Sequence, residues 1–230
     1  MPIPVYQVDA FANRPFEGNP AAICWLDSNK SDEWQQSVAA EINFSETAFI
    51  KPADSGFGLR WFTPAAEVDL CGHATLAAAH VLWETNRVSA DQPIVFQSGS
   101  GSLTASRSGS KIQLDFPATP TEPCAVPDGL ESALGCEPGT IKECQRSRFD
   151  LLVEQADDAT VARLTPDYPK LTEVDVRGVI VTSAATSAEY EEFDFVSRFF
   201  APRVGINEDP VTGSAHCSLG PFWKDRLGRS

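Results

Sequence analysis

The feature that most constrains this chain is an internal repeat. The segment LRWFTPAAEVDLCGHATLAAAHVLW, from Leu59, is echoed by SRFFAPRVGINEDPVTGSAHCSLGPFW, from Ser197. Each copy opens with a basic residue, two aromatics, a small residue and a proline, Arg60 to Pro64 and Arg198 to Pro202. Each continues through a loop to an aspartate (Asp69, Asp209), a glycine (Gly72, Gly213) and a small-residue stretch ending near a tryptophan (Trp83, Trp223). A repeat of this kind predicts one supersecondary unit used twice. Proline lacks a ladder donor, so it ends a strand, and a helix is expected to start at each glycine. Ala74 and Leu76 to Ala79 favour the helix, and their small size predicts that it is buried. The second helix is expected to be weaker, because Gly220 and Pro221 interrupt it early.

Elsewhere the pattern is mainly β. Strands are predicted over 4–11, 21–26, 47–51, 94–97 and 111–116, with a pair or trio of strands after the first repeated helix. Residues 32–42 read as a helix capped by Ser31. In the second half 149–153 and 178–182 read as strands and 159–164 as a helix. The proline-rich run from Pro117 to Gly129 is the linker candidate. The expected organisation is α+β in two lobes, 1–117 and 118–230. From the repeat, the second lobe is expected to be shortened at its C-terminal end by about 30 residues of β structure relative to its counterpart.

The net charge of −14 argues against nucleic-acid binding, which needs clustered basic residues. It leaves an anionic small molecule open, because local N–H groups set the field of a pocket. No apolar run is long enough to span a bilayer, and no signal-like stretch begins the chain, so no membrane partner is expected and the cytoplasm is the default address. Six cysteines at irregular spacings, with no C-x-x-C pair, read as reduced thiols. The three histidines form no H-x-x-x-H pair and the sequence has no glycine-rich nucleotide loop, so neither a metal nor a nucleotide cofactor is expected.

The D-x-x-G-H and D-P-x-x-G-S starts form the main chemical constellation. Helix N-termini expose unpaired N–H groups and the positive end of the dipole. Two of them facing each other across a lobe interface would suit a carboxylate, although each aspartate could equally be a cap and each glycine a turn. His73 in the first helical turn would be held as a neutral, proton-accepting ring. Glu46, at a helix-to-strand junction among Phe44, Ala48 and Phe49, is either a solvated surface group or a partly buried acid–base carboxyl. Cys71 has Thr212, not a second thiol, as its counterpart, which breaks the pattern of a two-thiol racemase.

The stretches VDAFANRPFEGNPAA, NFSETAF, DLCGHATLAAA and RFFAPRVGINEDPVTGSAH closely resemble the phenazine-biosynthesis PhzF-like family, over about residue 5 to the C-terminus. The resemblance implies a diaminopimelate epimerase-like fold of two pseudo-symmetric lobes, each a β-rich, barrel-like sheet around a central helix. It also implies cofactor-free isomerisation of a small carboxylic acid; the alternatives are an epimerase or racemase on the same fold, or a non-catalytic binding protein that retains the fold. In the characterised phenazine-pathway enzyme a glutamate moves a proton between carbons of a dihydro-hydroxyanthranilate, and Glu46 matches it. By the same matching His73, Asp209 and Ser214 would shuttle protons or hold the substrate. Gly72 and Gly213 would bind its carboxylate, with Ser45 and Asn19 lining the site. Family members usually continue with further strands after the second repeated helix. Strand edges left open by a short C-terminus would invite pairing with a second chain, so a homodimer is an admissible assembly.

Overall fold

The computed structural model describes residues 2–14 and 17–228. Pro15 and Phe16 of the N-terminal motif, and residues 229–230, lie outside the described residues. The chain divides into two compact units. One comprises Met1–Pro117 with Val211–Ser214, the other Ala118–Pro210 with Ala215–Ser230. Among the described residues no helix is long and apolar enough to cross a membrane.

The first unit runs β1 (Val5–Ala10), β2 (Asn19–Trp25), α1 (Asp32–Ile42), β3 (Glu46–Pro52), β4 (Phe57–Phe62), β5 (Glu67–Val68), α2 (Gly72–Glu84), β6 (Ile94–Ser98), β7 (Gly101–Ser108) and β8 (Lys111–Asp115). Its sheet has the order β1-β2-β3-β4-β6-β7-β8, with β5 paired to β4. The β2–β3 and β4–β6 pairs are parallel and are bridged by α1 and α2, as parallel neighbours require a crossover. Helix α2 touches β1, β2 and β3 at one end of the sheet and β8 at the other, so the sheet curls around it. The small residues make this possible: Ala74, Ala77, Ala78 and Ala79 are fully buried, and most of the helix is inaccessible. Helix α1 covers the opposite face, where Ala39 packs with Cys24, Leu26, Phe49 and Phe62. Ser31 caps α1 by accepting from the Trp34 N–H at 3.3 Å.

The second unit runs β9 (Glu122–Pro123), α3 (Leu130–Leu134), β10 (Ile141–Arg146), β11 (Asp150–Gln155), α4 (Asp158–Arg163), α5 (Tyr168–Thr172), β12 (Gly178–Ala184), β13 (Phe195–Ala201), β14 (Ile206–Asp209) and α6 (His216–Leu227). Its sheet order is β14-β13-β12-β11-β10-β9. The β10-β11-β12-β13-β14 path repeats the β1-β2-β3-β4-β5 path. Each has one parallel pair, β11–β12 or β2–β3, and antiparallel pairs otherwise. Side chains alternate strictly across this sheet. Leu151, Val153, Val179, Val181 and Phe200 pack with α3, α4 and α5, whereas Leu152, Ile180, Phe199 and Ala201 pack with Leu219, Phe222 and Trp223 of α6.

Three local expectations are corrected. Helix α6 starts at His216, not at Gly213, with Ala215 as its N-cap, and it runs through Gly220 and Pro221 to Leu227. Proline at 221 removes the N–H that would bond the Cys217 carbonyl four residues earlier. That carbonyl instead accepts from the Thr119 N–H at 2.8 Å, so the interruption is repaired from outside the helix. Neither repeated aspartate is a cap: Cys71 is the N-cap of α2, and Asp209 closes β14. The proline-rich linker contains strand β9, paired to β10.

Candidate functional site

The geometry follows from the register of β3. Glu46 is its first residue, and alternation sends Glu46 to the face that carries α2, while Phe49 joins the α1 face. His73, in the first turn of α2, meets Glu46 there: Nε2 lies 3.4 Å from Glu46 Oε2. Both are shut off from water, His73 at 1% exposure and Glu46 at 7%.

Burial pushes the His73 imidazole down from 6.5 to about 4, opposed only in part by its hydrogen bond with the Pro20 carbonyl. The ring is therefore neutral at pH 7, and its contact with Glu46 joins a carboxyl to a neutral imidazole rather than two opposite charges. Burial of the ring is the force that holds it neutral here, where the sequence suggested the helix dipole.

Two more groups address the ring. Ser45 Oγ lies 3.4 Å from Nε2, and Cys71 Sγ lies 3.5 Å from Nδ1. Ser45 donates to Asn19 Oδ1 at 3.3 Å, and Asn19 Nδ2 donates to the Val211 carbonyl at 3.3 Å. Asn19 begins β2 and is 1% exposed. A continuous polar path thus runs from the buried His73 to the 211–214 segment.

That segment sits against the start of α2 in backbone contact. A Cβ added at Gly72 would lie 2.7 Å from Gly213 Cα, and one at Gly213 would lie 2.9 Å from Gly72 Cα. Glycine is required at both positions because the two main chains touch. Ser214 is 7% exposed, and its N lies 3.3 Å from where a Gly72 Cβ would be.

The first unit therefore gathers Asn19, Ser45, Glu46, Gly72, His73, Gly213 and Ser214. Asp209 belongs to the second unit, where it is 7% exposed and pairs with Phe199 across the β13–β14 ladder. Along the chain it lies two residues before Val211.

Sequence reasoning missed the contact between Cys71 and the ring, and the Pro20 and Val211 carbonyls. No periodicity or motif spacing marks a main-chain acceptor, and two residues apart at a helix start are not neighbours by the helical repeat. It also passed over a cluster: Glu46, Cys71 and His73 hold one ligand atom each within 4.8 Å of one another. These are the residues that would take a cation, although Cys71 and Glu46 address different ring nitrogens.

The chain is 52% identical over 231 residues to an uncharacterised isomerase of Halalkalibacterium halodurans, a match covering 100% of this chain and 85% of that one. The crystal structure of a phenazine biosynthesis PhzF-family protein from Enterococcus faecalis superposes with a TM-score of 0.84 at 43% identity, covering 100% of this chain and 85% of the other. A probable proline racemase from Agrobacterium radiobacter shares the fold alone, with a TM-score of 0.69 at 9% identity over 100% of this chain and 78% of that one. The α+β fold of two curled sheets is thus the one common to PhzF-family proteins and proline racemases. The family model described as phenazine biosynthesis-like protein matches residues 8–229, and the chain belongs to that family.

Proposed function

We propose that this protein is a cofactor-independent isomerase that moves a proton between two carbons of a small unsaturated carboxylic acid, with Glu46 as the acid–base group. The observation that carries the reading is the buried pair of Glu46 Oε2 and neutral His73 Nε2 at 3.4 Å. In this reading the Glu46 carboxylate takes a proton from one carbon, and the electron pair left behind spreads into the conjugated carboxylic acid. Glu46, now protonated, returns a proton to a second carbon. One C–H bond breaks, another forms, and no electrons leave the substrate.

A neutral imidazole beside the carboxyl can accept or donate a hydrogen bond as Glu46 changes charge, without introducing a fixed positive charge that would hold Glu46 ionised. Asn19 and Ser45 fix the ring from one side and Cys71 from the other. The N–H groups of the first α2 turn, with Gly72, Gly213 and Ser214, are assigned to the substrate carboxylate, because a helix start offers donors without intrahelical partners. Asp209 is assigned a supporting role in proton transfer on its sequence motif.

The test is deuterium uptake in D₂O, read by NMR, from dihydro-hydroxyanthranilate and a panel of related carbon acids. Uptake catalysed by the wild type is expected to fall by about 10²–10⁴-fold in Glu46→Gln, the usual loss for a general acid–base group. Full turnover by Glu46→Gln on a substrate of the wild type would end this mechanism.

A further inference from the structure

Six cysteines punctuate the chain, and the reaction proposed above employs none of them as a reacting group. Cys24, Cys71 and Cys217 are buried, and Cys136 accepts from the Gln155 side-chain amide at 3.3 Å. Cys124 and Cys144 differ from these. Their Sγ atoms are 3.6 Å apart, in direct contact.

The backbone makes this contact systematic. Strands β9 and β10 pair antiparallel with Pro123 opposite Gln145 and Glu122 opposite Arg146, so the next residues in register are Cys124 and Cys144. The Cys124 N–H donates to the Cys144 carbonyl at 2.9 Å, which carries the pairing one step beyond the strand. Directly opposed residues of an antiparallel pair have Cα atoms about 4.5–5.5 Å apart, inside the range that a disulfide spans. The sulfurs need only approach by roughly 1.5 Å from their 3.6 Å separation to reach bonding distance.

The two thiols are also differentiated. Cys124 is only half-buried within the linker run, whereas Cys144 is 4% exposed. Burial and the neighbouring Cys124 push the Cys144 thiol up to about 12, so it stays protonated when Cys124 meets solvent. One sulfur is placed to be attacked from outside and the other to close on it from within.

We propose that Cys124 and Cys144 form an oxidation site at which hydrogen peroxide converts the two thiols into one intramolecular disulfide. Cys124 as thiolate attacks a peroxide oxygen, the O–O bond breaks, and one water leaves once protons are counted, with a sulfenic acid on Cys124. The Cys144 sulfur then attacks Cys124 Sγ, the S–O bond breaks, and a second water leaves. The two sulfurs together give up the two electrons that reduce the peroxide, and a thiol reductant reverses the change. The product ties the linker strand β9 to β10 covalently, around a loop that contains α3.

The full chain, reduced and freed of reductant, is treated with hydrogen peroxide, quenched with catalase and denatured for thiol counting. Free thiols are expected to fall from six to four. Tryptic cleavage after Lys142 and Arg146 releases Glu143–Arg146, which should appear joined to the peptide holding Cys124 with a mass loss of about 2 Da. That peptide also holds Cys136, so the joined species must persist in Cys136→Ser and vanish in both Cys124→Ser and Cys144→Ala. Circular dichroism of each variant shows whether it is folded, and Cys124→Ser, at the more exposed position, serves if Cys144→Ala does not fold. Six thiols remaining, a joined species that survives Cys124→Ser, or Cys124 passing to sulfinic acid with no joined peptide would each overturn the proposal.

Discussion

Replacing His73 by glutamine removes one titratable group from the interior of the first unit, and its effect on acid stability can be worked out in advance. The ring is held at about 4 in the folded protein, chiefly by burial, against 6.5 when exposed. At 1.36 kcal/mol per pH unit, the drop from 6.5 to about 4 corresponds to about 3 kcal/mol. The sign follows from where the proton binds first. Between pH 6.5 and 4 the unfolded chain takes up a proton that folded His73 refuses, so stability falls as the pH falls through this window. Above 6.5 both forms are neutral and the contribution is complete; below about 4 it is exhausted. Carboxylates titrate in the same region, so the comparison is made as a difference. Urea unfolding of wild type and His73→Gln is measured in steps from pH 7.5 to 3.5, and the gap between the two stabilities is plotted. The wild type should lose about 3 kcal/mol more than the variant across the window. In parallel, the histidine Hε1 resonance that disappears in His73→Gln should titrate well below 6.5. A flat difference curve, or a His73 midpoint at 6.5 or above, would refute the claim that burial holds this ring neutral.

Other substitutions probe other supports of the fold. Gly72→Ala places a Cβ 2.7 Å from Gly213 Cα and 3.1 Å from its carbonyl carbon, where main chain cannot swing aside. It should cost about 1–3 kcal/mol, a Tm drop of about 2–12 °C for a chain of this size, read by differential scanning fluorimetry. Arg177→Met strips the buried Asp150 carboxylate of a two-pronged partner, Nε to Oδ1 at 2.9 Å and Nη2 to Oδ2 at 2.5 Å. A loss of about 3–5 kcal/mol in the urea midpoint analysis is expected, and a neutral outcome would mean that water replaces the guanidinium. Ser31→Ala deletes the cap of α1 and should cost about 1 kcal/mol, followed by tryptophan fluorescence during unfolding.

The parts of the fold that were legible in the sequence are those whose causes are local. Helix α1 is bounded by Ser31 at one end and by Asn43, in the left-handed conformation, at the other, and its predicted range agrees with the structure. The strand–proline–loop–helix pattern appears at Pro64 and again at Pro202 because each proline follows the end of a strand, β4 or β13, and has no N–H to extend the ladder. What escaped prediction depends on partners far along the chain. Helix α6 continues past Pro221 because Thr119, before β9, takes the orphaned carbonyl. Strand β9 is two residues long inside a run whose prolines argue against structure, and only its pairing with β10 defines it. In the site, Glu46 was readable as a junction carboxyl, but its contact with His73 follows from the curl of the sheet about α2, which no local pattern encodes. The clasp of Asn19 on the Val211 carbonyl is equally invisible, since one partner is a main-chain oxygen 192 residues away.

The placement of Val211–Ser214 within the first unit has a consequence for synthesis. The ribosome releases β1 to β8 long before it makes the four residues that cover Gly72. An emerging first unit therefore waits, with the start of α2 uncovered and Asn19 lacking its Val211 acceptor, until Ser214 has been made. A gene divided at Pro117 would make that wait permanent. Of its two products, expressed apart, the one ending at Pro117 would be missing the strip of backbone that the other carries. Recombining them would require the strip to find its place against Gly72 by diffusion.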